Sequence, residues 1–440
     1  MQAKEILKLH RDGKSDEAEK EYRKLLEIQP EQCQLLFNIA RLKQDTNNVP
    51  DALRYYGDAV LAPGFYPKVK GAALCNISAL LWKLGHYDES RTAIEHAYAF
   101  DPERAETLSN RCMFQMYSGD IAAAKDSIEK SIRYDPNSAS ARWNHAIIQL
   151  LTGDLRRGWI SARSRFKNPG FPTRPLNTVK PIWKGEQFDG KTLLLWHEQG
   201  IGDTFQFLRY AKLAKARSPT GTVKFVGPPE CSELLGLVPG LDSYLKIINT
   251  ETEEFDWHCP LMDLPRIFKT RLHNIPADIP YIDQPCEFDL PPTDKRRVGL
   301  VWAGRPEHGR DRWRTIPCAA FKPLLDVPGI QYVALQFGPA LAEAAEFPQI
   351  LLPGAKSWLD TAAILRQLDL LITVDTSVLH LAGAMGRRVW GLIPFSPDWR
   401  WMLGREDTPW YPTVKLLRQP KFEDWDSIIQ RVKRELEANG

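Results

Sequence analysis

The chain has 440 residues, of which 43% are hydrophobic, and a formal net charge of +3. A chain of this length is expected to form two or three domains rather than one core, and its composition excludes wholesale disorder. The small net charge favours neither a nucleic acid nor a membrane as a partner.

The seven cysteines are scattered along the chain and form no CxxC pair. This pattern is typical of reduced, buried thiols rather than of a disulfide or zinc framework. The opening stretch MQAKEILKLHRDGK lacks the apolar core of a signal peptide. No apolar run approaches the roughly 18–20 residues that span a bilayer. We therefore expect a cytoplasmic protein with no membrane span.

The first third of the chain repeats a pattern with a step of 34 residues and one longer step of 38. A glycine lies five residues before a small residue in four units, and Asn47 and Ala52 take these places in the second unit. The four pairs are Gly13 and Ala18, Gly85 and Ser90, Gly119 and Ala124, and Gly153 and Gly158. Glycine permits a tight turn between two helices, the small residue permits close packing, and a proline ends each unit. The pattern resembles the tetratricopeptide repeat, which predicts an α-solenoid of about five repeats over residues 1–169.

An asparagine recurs at one position of the first helix in units two to five, namely at Asn38, Asn76, Asn110 and Asn144. Each amide carries a donor and an acceptor, so a row of them can hold the backbone of an extended peptide without reading its sequence. The row therefore predicts a peptide groove and a protein or peptide partner. The alternative is that asparagine is simply common at this position of such repeats.

A change of composition follows the repeats. Residues 170–183 are rich in proline and lack periodicity, which predicts a linker. Beyond them, strand-like runs alternate with helix-like runs in two series, which predicts parallel sheets covered on both faces. We expect two Rossmann-like lobes, over residues 184–290 and 291–440, with the reaction site in the cleft between them.

The turn HEQGIGDTFQF (197–207) lies between an apolar run and a predicted helix over 207–216. Gly200 and Gly202 fit the start of a dinucleotide fingerprint, but Phe205 takes the place of the third glycine. This substitution disfavours an NAD site. No GKS or GKT follows the turn, which excludes a nucleoside triphosphate P-loop in practice.

Asp203 in this turn has two interpretations. It is either a cap for the exposed amides of the following helix or a general base at the carboxyl edge of a sheet. Glu198, five residues earlier, is a rival for the role of base. On spacing alone, the cap is the favoured interpretation.

Five segments in order span both predicted lobes: EQGIGDTFQFLRY (198–210), RVGLVWAGRPEHGRDRWRTIP (297–317), YVALQFGP (332–339), ITVDTSVLHLAGAMGRRVWGLIP (372–394) and PDWRWMLGREDTPWYP (397–412). Together they resemble the two-lobed GT-B glycosyltransferases related to the lipopolysaccharide heptosyltransferases. A bacterial group joins tetratricopeptide repeats to such a domain, and the layout also resembles the protein O-GlcNAc transferases. The resemblance implies an α-solenoid followed by a GT-B type double Rossmann-like domain, the first lobe on the acceptor side, with Asp203 as the catalytic base. The expected acceptor-side residues are Glu198, Gln199, Gly202 and Gln206.

The resemblance implies a nucleotide-sugar donor on the second lobe. The run LLITVDTSVLHLAGAMG reads as a buried strand, a polar turn and a helix, and the first amides of that helix suit a donor diphosphate. Thr376 and Ser377 lie in this turn. His380 is expected to contact the same anion, although it is alternatively a packed histidine. Asp375 repels phosphate, so we expect it to orient the ribose or the turn.

Arginines in GRPEHGRDRWRT follow another strand and match phosphate geometry, although most clusters of this kind are merely solvated. By position, Arg312 lies nearest the basic donor contact of the relatives and Arg314 is second. Gln336 closes the run YVALQ and is expected to read the base or a phosphate. Trp399 and Arg400 lie either near the cleft or in the core.

The sequence predicts no metal. The Asp-x-Asp motif at residues 424–426 directly precedes the last predicted helix, so Asp426 is expected to be its N-cap. No His/Cys cluster has metal-ligand spacing. We therefore expect no cofactor beyond the nucleotide-sugar co-substrate, and expect arginines and helix amides to balance the charge of the leaving group.

These features predict a glycosyltransferase that moves a sugar from a nucleotide-sugar to an acceptor, with a protein recruited by the repeats as the first choice. The heptosyltransferase relatives imply inversion at the anomeric carbon. One alternative is the same chemistry on a saccharide or lipopolysaccharide-type acceptor, with the repeats used for assembly. The other is a non-catalytic repeat adaptor with a degenerate transferase domain.

Overall fold

A computed structural model of the chain describes residues 3–438. The chain forms two compact units that divide between Ile148 and Gln149. This division lies inside the last predicted repeat. Between residues 3 and 438, no helix combines the length and the apolar character that crossing a membrane requires.

The first unit is built of α-helices that follow one another in pairs and pack against their neighbours. This is the α-solenoid that the repeat predicts. Helix α9 continues past the division between the units. The helices are α1 (Ala3–Arg11), α2 (Ser15–Ile28), α3 (Cys33–Asp45), α4 (Val49–Leu61), α5 (Pro67–Leu84), α6 (Tyr87–Phe100), α7 (Ala105–Tyr117), α8 (Ile121–Tyr134) and α9 (Ala139–Leu151).

The turns inside the helix pairs have the backbone conformation that the glycines predict. Gly13, Gly85 and Gly119 have φ of 78°, 85° and 81°, a left-handed conformation that glycine adopts without a Cβ penalty. Asn47 takes the same place in the second pair with φ of 58°, and asparagine is among the residues that tolerate this region. The small residue that follows is fully buried, as at Ser90. The prediction for these turns is confirmed.

The second unit contains strands whose bounds are β1 (Thr192–Trp196), β2 (Thr222–Val226), β3 (Ser243–Leu245), β4 (Trp257–Pro260), β5 (Arg296–Val301), β6 (Ile330–Ala334), β7 (Ile350–Leu351), β8 (Leu370–Val374), β9 (Val389–Ile393) and β10 (Val414–Arg418). They form two sheets with the orders β3-β2-β1-β4 and β10-β9-β8-β5-β6-β7. All the pairs are parallel. This confirms the predicted double Rossmann-like architecture.

Helices connect these strands and cover the sheets. Strands β8 and β9 are buried along their whole length, as expected for parallel strands covered on both faces. The helices are α10 (Leu155–Ser161), α11 (Ile201–Phe207), α12 (Ala211–Arg217), α13 (Ser232–Leu235), α14 (Leu264–Ile267), α15 (Asp311–Arg314), α16 (Lys322–Leu325), α17 (Trp358–Arg366), α18 (Ser377–Ala384) and α19 (Trp425–Ala438).

Each sheet has one point where the strand order reverses. In the first sheet the chain extends from β1 to β2 and β3, and then β4 pairs on the other side of β1. In the second sheet β6 and β7 extend from one side of β5, and β8 pairs on the other side. Open parallel sheets bind ligands outside the carboxyl ends of the strands at such switch points. The loops after β1, β4, β5 and β8 therefore surround the positions of interest.

Several predicted elements differ from the structure. The helix predicted over 207–216 begins at Ile201 and is interrupted by a 3-10 turn at 208–210. Strand β4 was not predicted, because a four-residue run with histidine and proline gives little strand signal. Asp424, not Asp426, caps the last helix, because α19 begins at Trp425 and Asp424 accepts from the Ser427 amide at 3.1 Å.

The segment predicted as a linker has neither helix nor strand, yet its aromatic residues are packed. Trp183 is fully buried and Phe171 nearly so. The Trp183 amide donates to the carbonyl of His258 at 2.8 Å, and Ile182 forms a parallel bridge beside β4. This stretch is therefore attached to the edge of the first sheet.

Candidate active site

The turn after β1 leads into a helix whose first turn is capped by Asp203. Gly200 is the N-cap of α11, and Asp203 is the third helical residue. The Asp203 carboxylate accepts a hydrogen bond from the Gly200 amide at 2.9 Å. The carboxylate thus stabilises the first turn of the helix, which is the role of the acidic residue in a capping box. Its side chain is nonetheless 19% exposed.

The turn after β8 lies directly against this helix start. Thr376 is the N-cap of α18, whose first residue is Ser377. A Cβ on Gly202 would lie 2.9 Å from Cδ2 of His380 and 3.5 Å from Cα of Ser377. Only glycine permits this approach, so the absence of a side chain at position 202 brings together the first turns of α11 and α18. The first turns of α11 and α18 are therefore packed directly against each other.

Arg400 joins the two lobes at this point. Its Nη2 donates to Oδ1 of Asp203 and its Nε donates to Oε1 of Gln206 at 2.6 Å, both in the first lobe. Its Nη1 donates to Oδ1 of Asp398 at 2.8 Å in the second lobe. The guanidinium also lies 4.2 Å from the ring centroid of Trp399. One buried cation therefore connects two aspartates across the lobes.

Burial and the neighbouring charges have opposite effects on the pKa values of Asp203, Asp398 and Arg400. Burial raises the pKa of the Asp203 carboxyl above its ordinary value, and the charge of Arg400 works in the opposite direction. At Asp398, burial also favours the neutral form, but Arg400 and Arg310 hold the pKa below its ordinary value. Although burial acts against the charge of Arg400, its two carboxylate partners raise the pKa of this guanidinium. A nearby cation is what keeps a buried carboxylate ionised.

His380 is held as a neutral imidazole. Its Nδ1 is 2.9 Å from the hydroxyl of Tyr411, and its ring stacks on Trp401 with centroids 5.2 Å apart. Burial lowers the pKa of His380 to about 3, and the charge of Arg400 contributes to the shift. A neutral histidine at this position can form a hydrogen bond to a ligand but adds no positive charge.

Arg314 fastens the second-lobe turn. Its Nη1 donates to the backbone carbonyl of Asp375 at 2.8 Å, and its Nε donates to Oδ1 of Asp311 at 3.0 Å. A Cβ on Gly304 would lie 2.2 Å from that carboxylate oxygen and 2.5 Å from Nη2 of Arg314, so the glycine after β5 provides the room. Burial raises the pKa of Asp375, and the charge of Asp398 adds to this effect, whereas Arg314 opposes it.

Arg312 and Gln336 are two further residues that the sequence predicted to contact the donor. Arg312 is exposed on the short helix α15. Gln336 is buried, and its amide binds the backbone of its own lobe. Its Oε1 accepts from the amides of Trp302 and Ala303, and its Nε2 donates to the carbonyl of Phe337. These bonds occupy the amide that was expected to read the base or a phosphate.

Of the predicted acceptor-side residues, two lie where the lobes meet and the other two lie in the loop before α11. Gln206 is fully buried and accepts from Arg400, and Gly202 makes the approach to α18. Gln199 is partly exposed in the loop. Glu198 is buried, and both of its carboxylate oxygens accept from Arg165. Its carboxylate is therefore held by an internal ion pair rather than directed toward a substrate.

A second buried arginine, Arg209, forms hydrogen bonds between the two lobes, and the sequence did not indicate this role. Arg209 donates to the carbonyl of Trp410 at 2.7 Å and to that of Pro276 at 3.1 Å. It also donates to the hydroxyl of Tyr281 at 2.9 Å. Carbonyls and aromatic faces satisfy this cation, and its sequence neighbours gave no signal for such a role. Arg400 was noted in the sequence, but its pairing with Asp203 was not.

The recurring asparagines lie in the first unit, and three of them donate hydrogen bonds to the preceding repeat. Asn76 donates to the hydroxyl of Tyr56 at 2.9 Å, Asn110 to the sulfur of Cys75 at 3.4 Å, and Asn144 to the hydroxyl of Ser109 at 3.1 Å. The Oδ1 atom of Asn38 accepts from Gln34. All four are partly exposed. The side chains of Asn76, Asn110 and Asn144 thus connect neighbouring helix pairs.

Between residues 3 and 438, no group of three or more His, Cys, Asp or Glu side chains is arranged to hold a metal ion. The chemical groups that the site does present are arginine guanidinium groups, the backbone amides that begin α18, one neutral imidazole and aspartate carboxylates. The cations and amides suit an anionic ligand.

Comparison with known proteins gives one curated relative. Protein FlbA of Caulobacter vibrioides is 26% identical over 406 residues, which cover 82% of this chain and 65% of FlbA. The chain therefore spans just under two thirds of the length of that relative.

Solved structures resemble parts of the chain. A glycosyl transferase family 9 protein from Veillonella parvula is 11% identical with a TM-score of 0.38, and the match covers 58% of this chain and 91% of that one. PilF from Pseudomonas aeruginosa is 22% identical with a TM-score of 0.31, covering 37% and 71% of the two chains. The family model described as Tetratricopeptide repeat matches residues 71–104, a range within α5, α6 and the start of the next turn. The repeat predicted from the sequence is therefore confirmed in that part of the solenoid.

Proposed function

We propose that this chain is a glycosyltransferase that moves a sugar from a nucleotide-sugar donor to the hydroxyl of a protein. The observation that carries the proposal is the approach of two helix starts, with Gly202 of α11 against Ser377 of α18. This approach brings a partly exposed carboxylate of the first lobe beside a helix start of the second. The first provides a base and the second provides amides for an anion.

Asp203 acts as the base that removes the proton of the acceptor hydroxyl. It must be ionised to do so, and burial alone disfavours the ionised form. Arg400 supports the ionised form through its direct bond to the carboxylate. The hydroxyl oxygen then attacks the anomeric carbon from the side opposite the departing nucleotide, which inverts the configuration.

The donor diphosphate binds at the start of α18, where the amides after Thr376 point toward it and the helix dipole is positive. Arg314 holds this turn through the Asp375 carbonyl, and the exposed guanidinium of Arg312 closes on the outer phosphate. His380, being neutral, donates a hydrogen bond. Asp375 orients the ribose or the turn itself. Cations and amides of the chain balance the leaving-group charge, so the reaction requires no metal.

The solenoid recruits the polypeptide acceptor through Asn38, Asn76, Asn110 and Asn144. All four residues are partly exposed, which supports this role. A variant with Asn76, Asn110 and Asn144 changed to Ala is expected to lose transfer to protein while it keeps slow hydrolysis of the donor. Asn137→Ala, an exposed asparagine of the same unit, is the control. Equal loss of both activities would contradict a recruiting role.

The test of the enzyme proposal begins with donor binding. Thermal shift with UDP-, GDP- and ADP-linked sugars identifies the donor, because a ligand that binds the folded state raises its apparent stability. Mass spectrometry then measures the addition of one sugar to protein and to saccharide acceptors in parallel. We expect addition to protein. Transfer to saccharide alone would replace the acceptor class, and the absence of donor binding together with the absence of transfer would support a non-catalytic adaptor.

A further inference from the structure

The switch point of the first sheet is occupied by the chain itself. Glu198 follows β1 and Asp263 follows β4, so the two carboxylates lie at the carboxyl ends of the strands where the order reverses. An open parallel sheet normally binds its ligand there. In this chain the guanidinium of Arg165 lies between the two carboxylates.

The bonds of Arg165 account for nearly all of its hydrogen-bonding capacity. Its Nε and Nη2 donate to the two oxygens of Glu198 at 2.6 and 3.0 Å, and Nη2 also lies 2.8 Å from Oδ1 of Asp263. Its Nη1 donates to the carbonyl of Ala162 at 3.2 Å. The side chains of Arg165 and Glu198 are each 1% exposed. A ligand has no access to this pair.

Glu198 is in turn fixed to the loop that leads to Asp203. Its Oε1 accepts from the amide of Met262 at 2.9 Å, which ties the loop after β1 to the loop after β4. Gly200 and the first turn of α11 follow directly. The orientation of that turn therefore depends on the Glu198 carboxylate, both oxygens of which are bonded to Arg165.

The segment that carries Arg165 also contacts the other half of the site. Trp159, in α10, packs edge-to-face against Phe207 of α11 at 5.9 Å and against Trp399 of the second lobe at 5.3 Å. Trp399 in turn lies against the guanidinium of Arg400. Residues 155–167 thus contact the helix of Asp203 and the aromatic neighbour of its cationic partner.

We propose that residues 155–167 plug the ligand crevice of the first sheet, and that Arg165 is a positioning residue that fixes Asp203 through Glu198. This inference rests on the proposed function, because it assigns the plug a part in the same transfer reaction. Helix α10 and the 3-10 turn that follows it are then a structural part of the catalytic region. Arg165 does not touch the substrate, and its effect is on the geometry of the loop.

The experiment uses the full chain with Glu198→Gln, which removes one charge and leaves Arg165 paired with Asp263. Arg165→Lys is the second variant, because lysine keeps the charge but cannot form the two-pronged bond. Glu253→Gln is the matched control, since it breaks an ion pair with Lys224 in the same lobe whose side chains are about a quarter exposed. Amide hydrogen exchange of residues 197–207 is measured for each, together with kcat and KM for the donor found by thermal shift.

We expect faster exchange over 197–207 in Glu198→Gln, a smaller effect in Arg165→Lys and none in the control. We expect kcat to fall about tenfold or more in Glu198→Gln, because a displacement of about 1 Å costs that much or more, with KM changed by less than about threefold. The pH dependence of the remaining activity should not move, since Arg400 still pairs with Asp203. Unchanged exchange would overturn the positioning role, and so would faster exchange with unchanged kcat. If the wild type transfers no sugar, the proposed function fails on that result alone, and the exchange data still decide whether Arg165 holds the loop.

Discussion

His380 offers a quantitative test of the electrostatics of the site. Its imidazole is buried against Trp401 and Tyr411, and its pKa falls from 6.5 to about 3 on folding. A group whose pKa is depressed on folding contributes stability above its unfolded pKa, and this contribution is lost as pH falls toward the folded pKa. Acidification from pH 8 to pH 5 should therefore destabilise the second unit through His380.

The magnitude follows from the two pKa values. Between pH 8 and pH 5 the histidine gains a proton in the unfolded chain but not in the folded one. At about 1.4 kcal/mol per pH unit below the unfolded pKa, the free energy of unfolding therefore falls by about 2 kcal/mol. The full effect, reached only below pH 3, would be about 5 kcal/mol as an upper bound. The charged groups that act on this imidazole are Arg400, Asp398, Arg209 and Arg314.

The assay is urea denaturation of the full chain at pH 8 and pH 5, followed by tryptophan fluorescence. His380→Phe keeps the stacking on Trp401 and removes the titration. Its loss of the bond to Tyr411 is the same at both pH values and cancels in the comparison. Between pH 8 and pH 5, we expect the free energy of unfolding to fall by about 2 kcal/mol more in the wild type than in His380→Phe. The exposed His273→Asn is the control and should behave as the wild type. Equal losses in the wild type and His380→Phe would refute the claim that the imidazole is held neutral.

Three further changes test neighbouring parts of the site. Arg400→Gln removes the cation that opposes the effect of burial on the pKa of Asp203, so the acid limb of kcat/KM should move to higher pH. An unmoved acid limb in the pH profile would contradict this assignment. Gly202→Ala puts a methyl group 2.9 Å from Cδ2 of His380 and pushes the two helix starts apart, so steady-state kinetics of the folded variant should show kcat reduced about tenfold. Full activity would mean that the starts of α11 and α18 need not be so close. Arg314→Gln removes the hydrogen bond to the Asp375 carbonyl, so calorimetry should show about tenfold weaker binding of the nucleoside diphosphate of the donor. Unchanged affinity would contradict a role for Arg314 in donor binding.

Periodic features of the sequence predicted the fold well. The repeat step, the glycine turns and the alternation of strands with helices are local signals, and each needs only nearby residues. Asn47 illustrates this, because its place in the repeat predicted a turn residue and its backbone is left-handed. The short strand β4 and the start of α11 were missed, since both depend on packing rather than on periodicity.

The electrostatic partners were not predictable in the same way. Arg400 lies 197 residues from Asp203, and Arg165 lies 33 residues from Glu198. No spacing rule connects such residues, because the fold alone brings them together. The same reason explains Gln336, whose amide suited a ligand by its position but is occupied by the backbone of Trp302 and Ala303.

The central claim is that the Asp203 carboxylate is a base and not only a helix cap. Asp360 provides a matched comparison, because it is the third residue of α17 and accepts from the amides of Lys356 and Ser357 as Asp203 accepts from Gly200. The decisive measurement is kcat for sugar transfer by Asp203→Asn beside Asp360→Asn, with the thermal shift caused by the donor as a check on binding. We predict that Asp203→Asn lowers kcat by about 100-fold to 10,000-fold and keeps donor binding, while Asp360→Asn retains activity. Full transfer by Asp203→Asn would contradict the account.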